Sequence, residues 1–129
     1  MNAREAIKNQ FMKEYVCRDF TTITVKGLCA ATPVARSTFY SYFNNTDDVK
    51  EEIENELIDG LISAARMVSG GNLPDMDFPI FMDAVEAFIK EHWSTIFAFL
   101  VRQPNLRFMR KWKDAIKANF RMRYPEKIH

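Results

Sequence analysis

The sequence is poor in the residues that build covalent or metal-bound frameworks. It has two cysteines, two histidines and four glycines in 129 residues. Cys17 and Cys29 have eleven residues between them and form no CxxC pair. With only His92 and His129 to join them, a zinc site or a disulfide framework is not expected, and a reduced, cytoplasmic setting is. No stretch approaches the ~20 uninterrupted apolar residues that a membrane span needs. The opening NAREAIKNQF lacks a basic segment followed by an apolar one, so no secretory signal is expected. There is no phosphate-cradling glycine loop, no G-x-S-x-G and no H-E-x-x-H, so neither an enzyme nor a bound cofactor is expected. Alternating strand patterns and internal repeats are missing as well.

What is present suits a small folded domain. Hydrophobic residues make up 47% and charged residues 27% of the chain, ordinary values for a protein that buries a core. The net charge of +1 conceals segregation along the chain. Residues 1–46 carry six Lys/Arg against three Asp/Glu, a net +3; residues 47–101 carry three against twelve, a net −9; residues 102–129 carry nine against two, a net +7. Local balance, rather than overall charge, therefore bears on partners.

Helical periodicity runs throughout. A first helix is expected over about Asn2–Arg18, with Ile7, Phe11, Met12 and Tyr15 on one face. Asp19 follows, a residue tolerant of the left-handed conformation that often ends helices. Thr24 can cap a short helix, VKGLCAA, which the proline of TPV stops. A third helix covers about Ala35–Phe43. Asn45 or Thr46 caps a long fourth helix, whose first turn places Asp47 and Asp48 against the positive dipole end. Its expected buried stripe is Val49, Ile53, Leu57, Leu61, Ala64 and Val68, while Glu51, Glu52, Glu54, Glu56 and Asp59 form a solvated face. SGGNLPDMDFP is a loop. A fifth helical region spans about Pro79–Val101, broken near His92–Ser94. After the RQPN turn, Asn105 caps a last helix reaching about Arg123, with Leu106, Met109, Trp112, Ile116 and Phe120 on one side.

Three short helices and a turn are the layout of a helix-turn-helix module. Leu28, Cys29, Val34, Phe39 and Phe43 can hold the second helix against the third. That leaves Ala35, Arg36, Ser37, Thr38, Tyr40 and Tyr42 mainly outward. In such modules the N-terminal residues of the third helix enter the major groove. Arg36 can donate two hydrogen bonds to guanine, and the hydroxyls can reach phosphates. Thr24, at the head of helix two, can hold another phosphate. A solvated helix face is the plainer use of the same residues.

The segment TTITVKGLCAATPVARSTFYSYFNNTDDV resembles the DNA-binding domain of the tetracycline-repressor (TetR) family. Ile7, Thr24, Val25, Leu28, Val34, Thr38, Phe39, Tyr40 and Phe43 fall in register, over about residues 5–50. The resemblance implies an all-α protein. Residues 1–46 would be a DNA-binding head, and residues 47–129 a partial effector and dimerisation body, short or C-terminally truncated against the family. It further implies a homodimeric, ligand-responsive repressor on a palindromic duplex operator, with Tyr40 and Thr46 near phosphates. Three departures stand out. Pro33 replaces the usual turn glycine. Thr46, followed by Asp47 and Asp48, replaces a phosphate-binding lysine. Ser37 stands where glycine is common. The fold is thus better marked than DNA binding, and a head that has lost DNA to become a protein-interaction module is the alternative. A simple small-molecule carrier is a third.

The aromatic body has two open uses. It can be core at helical spacing. It can also hold a small apolar effector, for which Phe81, Phe88, Trp93, Phe97, Met109 and Trp112 are the candidates. His92 is a boundary histidine rather than a ligand. The basic run RFMRKWKDAIKANFRMRYPEK is amphipathic and follows the acidic stretch. It is expected to dock on the acidic body, or on a partner's, rather than on nucleic acid or a membrane.

Overall fold

The computed structural model describes residues 2–69 and 78–123, with side chains at all of these except 67–69, 78, 81 and 119–123. The side chains of Met67, Val68 and Phe120 and most of the SGGNLPDMDFP loop therefore lie outside what is described. Every regular element described is helical: α1 (Ala3–Tyr15), a 3-10 turn (Phe20–Thr22), α2 (Val25–Ala31), α3 (Arg36–Tyr42), α4 (Thr46–Ser69), α5 (Phe78–Glu91), α6 (Trp93–Phe97), a π-helical turn (Ala98–Arg102) and α7 (Leu106–Arg123). No described helix is long and apolar enough to cross a membrane.

The helix starts follow their capping chemistry. Asn2, Thr24 and Asn45 each accept a backbone N–H three residues on, at 2.9–3.0 Å. Asp48 reaches back to the N–H of Asn44 at 2.8 Å, so two orphan donors are satisfied at the head of α4. Asp19 is not left-handed. Its φ is −59° and its carboxylate caps the 3-10 turn through Thr21 N–H.

One buried cluster runs through the molecule. Ile7, Phe11, Leu28, Phe39, Phe43 and Val49 are packed in the first three helices and the start of α4, and the same cluster continues to Ile96, Phe99 and Phe108. Tyr15 and Phe99 meet edge to face at 5.2 Å. On α4 the stripe is Val49, Ile53, Leu57, Leu61 and Ala65. Ala65 replaces the expected Ala64, because successive four-residue steps overshoot a 3.6-residue turn and wind the stripe round the helix. Gly60 lets α5 approach closely: a Cβ there would stand 2.7 Å from the Phe88 ring.

Two expectations fail together. Glu54 is fully buried rather than solvated. The face of α7 turned inward carries Phe108, Ala115 and half-buried Trp112, whereas Leu106, Met109 and Ile116 are exposed. The reason is electrostatic. Arg107 donates to Glu54 at 2.8 and 3.0 Å and to Asp47 at 2.9 and 3.1 Å. Asn105 donates to the same Glu54 carboxylate. Lys111 donates to Glu51 at 3.1 Å and Asn55 at 2.8 Å. These bonds face the 107/108/111 side of α7 toward α4, and the longer apolar stripe is left outside. The acidic stretch and the basic run thus dock on each other, through charges as much as through apolar surface.

Burial would push the Glu54 carboxyl up, but hydrogen bonds from Arg107 and Asn105 prevail and hold it below its ordinary 4.5. Arg107 likewise holds Asp47 below its ordinary range. Both depressed values stabilise the fold above the unfolded pKa, and that contribution is lost as pH falls through the folded values. Glu54→Ala should cost about 2 kcal/mol in urea unfolding at neutral pH, since it removes the acceptor of buried Asn105 and one of the two carboxylates that hold Arg107. It should also flatten the loss of stability expected of the parent as pH falls below about 4.5.

Candidate functional site

The first three helices present α3 outward. Phe39 and Phe43 are its anchors, both buried, with ring centroids 5.6 Å apart. Leu28 and Cys29 are buried beneath them and Val34 packs against the same cluster. With α3 held on that side, Ala35, Arg36, Ser37, Tyr40 and Tyr42 are exposed, Tyr40 at 54%, and Thr38 is half-buried. The Thr38 carbonyl accepts from Ser41 at 2.6 Å. Six of the eight candidate DNA contacts therefore sit together on α3 and its cap. Thr24 is exposed at the cap of α2, and Thr46 is half-buried as the first residue of α4.

The electrostatics of this face are selective. Arg4 is engaged by Glu52 and lies 5.8 Å from the Tyr42 ring. Lys8 is buried among Glu5, Glu52 and Glu56. Arg18 pairs with Glu14. Arg36 and Lys26 are exposed and form no ion pair among the described residues, and sequence reasoning had passed over Lys26. Asp47, expected to repel phosphates, is neutralised by its two-pronged bond to Arg107. The carboxylate of Asp48 accepts the N–H of Asn44.

The turn before α3 carries strain. Pro33 has φ +24°, although its ring favours about −65°. The hydrogen bonds explain the demand. Val34 N–H donates to the carbonyl of Cys29 at 3.1 Å, the outer bond of a Schellman motif in which position 33 is left-handed. The inner bond needs an N–H at position 33, which proline lacks. Val34 keeps its apolar contact with the core, so packing imposes the turn on an unsuitable residue.

The five described candidates for an effector pocket line no common cavity. Phe88 lines a groove of about 340 Å³ between α1, α4 and α5, beside His92, whose ring lies 4.5 Å from it. Trp93 lines a separate open groove along α5. Met109 and Phe97 are exposed, and Trp112 is half-buried 5.7 Å from Phe108. The side chain of Phe81 lies outside the described residues. No group of three or more metal-ligating side chains occurs among the described residues.

A polar bracket that the sequence had taken for a simple turn joins the head to the body. Gln103 donates to the carbonyls of Tyr15 and Arg18, each at 2.8 Å, and accepts from Phe20 N–H at 2.9 Å. Tyr15 donates its hydroxyl to the Gln103 carbonyl at 3.1 Å, and burial pushes that phenol up to about 12. Lys50 lies 4.3 Å from the Phe20 ring. A glutamine beside a proline in a short turn has no periodicity to announce such a role.

No family model, curated protein or solved structure matches the chain.

Pro33→Gly should stabilise the protein by about 1 kcal/mol, read as a raised thermal midpoint. Relief of about 1–3 kcal/mol of backbone strain and one added hydrogen bond of about 1 kcal/mol outweigh about 1 kcal/mol of extra unfolded-state entropy.

Proposed function

We propose that this protein is a DNA-binding transcriptional regulator that reads duplex DNA with α3. The observation that carries the reading is the exposure of α3: Phe39 and Phe43 fix it in the core, while Arg36, Ser37, Tyr40 and Tyr42 are open to solvent. A core helix has no use for that outer face, and a helix in the major groove does. Arg36 would read guanine through O6 and N7. Ser37, Thr38 and Thr24 hydroxyls, with Lys26 and the two tyrosines, would hold phosphates and set register. The neutralisation of Asp47 by Arg107 supports this reading, because it removes one of the repulsive charges beside the backbone.

In its full form the reading is a ligand-responsive repressor that binds a palindromic operator as a homodimer. A small apolar effector in the body would bias the spacing of the two α3 helices. A protein-interaction module is the second reading, favoured by the exposed Leu106, Met109 and Ile116 on α7.

Selection of the folded protein on a random duplex library at near-physiological salt separates the two. A DNA reader enriches paired half-sites and loses affinity steeply as salt rises. Arg36→Ala should then cost about 1–3 kcal/mol in binding and relax preference at one base pair. No enrichment from folded protein would move α3 to a protein partner.

A further inference from the structure

The outer surface of α7 carries two rows of side chains. Leu106, Met109 and Ile116, at i, i+3 and i+10, are 70%, 40% and 45% exposed. Arg110, Lys113 and Lys117, at i, i+3 and i+7, are exposed as well. At about 100° per residue the rows lie roughly 60° apart round the axis, so they run side by side. Asp114 is the one exposed carboxylate described on α7, which leaves three outward cations against one anion. None of these four charges is paired among the described residues. The ion pairs that α7 does make, from Arg107 to Asp47 and from Lys111 to Glu51, lie on its inner side.

Water satisfies the cations, but not a row of three large apolar side chains beside them, and a contiguous apolar patch marks a binding face. The geometry narrows what covers it. A helix lying in a lipid surface turns its main apolar face to the acyl chains, whereas here Phe108 and Ala115 are committed to the core. What remains outside is a narrow apolar row with a basic row along one edge. A duplex would engage the cations and leave the apolar row bare. A second helix laid along α7 covers both rows, provided that its own apolar edge is bordered by carboxylates.

We infer that the outer face of α7 docks an acidic amphipathic helix of a partner protein. The partner's apolar edge covers Leu106, Met109 and Ile116, and its carboxylates meet Arg110, Lys113 and Lys117. The inference gives the protein-interaction reading its partner class and does not depend on DNA reading by α3, a separate helix.

A display library of amphipathic helical peptides tests it, with the apolar positions fixed as leucine and the flanking positions free to be Glu, Gln or Lys. Selection on the folded full chain at near-physiological salt should enrich Glu along one flank. The double variant Lys113→Glu, Lys117→Glu and the single variant Ile116→Asp alter exposed side chains only, so circular dichroism should show parent-like folding. Each should weaken the recovered peptide by roughly tenfold or more, and selection on the double variant should enrich Lys in place of Glu. Neutral or basic flanks on the parent would overturn the assignment. So would peptides indifferent to both variants, although a partner bound elsewhere would leave the protein-interaction reading standing. No enrichment of any peptide would remove both. Binding to phosphatidylserine vesicles that the double variant abolishes, with no peptide enriched, would give the face to a membrane instead.

Discussion

The carboxylate of Glu54 is the point on which the arrangement of helices turns. A buried carboxylate is costly unless its lone pairs are filled, and here Asn105, Arg107 and Lys111 converge on it. All three come from α7 or its cap, so the need of one side chain on α4 sets the rotation of a whole helix. Asn105 adds further constraint. Its amide N–H donates to the Phe99 carbonyl and its side-chain oxygen accepts from Phe108 N–H. The same residue therefore ends the π-helical turn, starts α7 and satisfies Glu54. Specificity prevails over burial because an orphaned charge costs more than an exposed leucine.

The charged knot and the Gln103 bracket act on the two ends of the same connection. Arg107 holds Asp47, in the first turn of α4 and three residues after Asn44. Gln103 holds the last carbonyls of α1 and the 3-10 turn. The segment 103–107 thus grips the head both before α2 and after α3.

The local architecture was legible in the sequence wherever it rests on short-range rules. The caps at Thr24, Asn45 and Asn105, the break near His92 and the α3 anchors Phe39 and Phe43 all follow from spacing and capping chemistry. The failures share a different cause. Glu54 looks like its neighbours Glu51, Glu52 and Glu56, and only a partner 53 residues away distinguishes it. The α7 face was assigned by the larger apolar stripe, whereas tertiary ion pairs decided it. Pro33 stands where a turn glycine is usual, yet the turn takes positive φ, because Val34 and the Cys29 carbonyl fix it from both sides. The outward set on α3 was legible because it is the complement of a buried set four residues apart.

Charge segregation along the chain connects these observations. The acidic middle and the basic end could have neutralised each other completely within one molecule. They do so in part: Arg107 and Lys111 are consumed by α4, while Arg110, Lys113 and Lys117 point to solvent on the other side of the same helix. A helix with two basic faces can satisfy only one against a single acidic neighbour. The unused face is also the one that carries Leu106, Met109 and Ile116, so exposed apolar surface and surplus positive charge coincide. In a monomer this combination is doubly unfavourable, through lost burial and through self-repulsion.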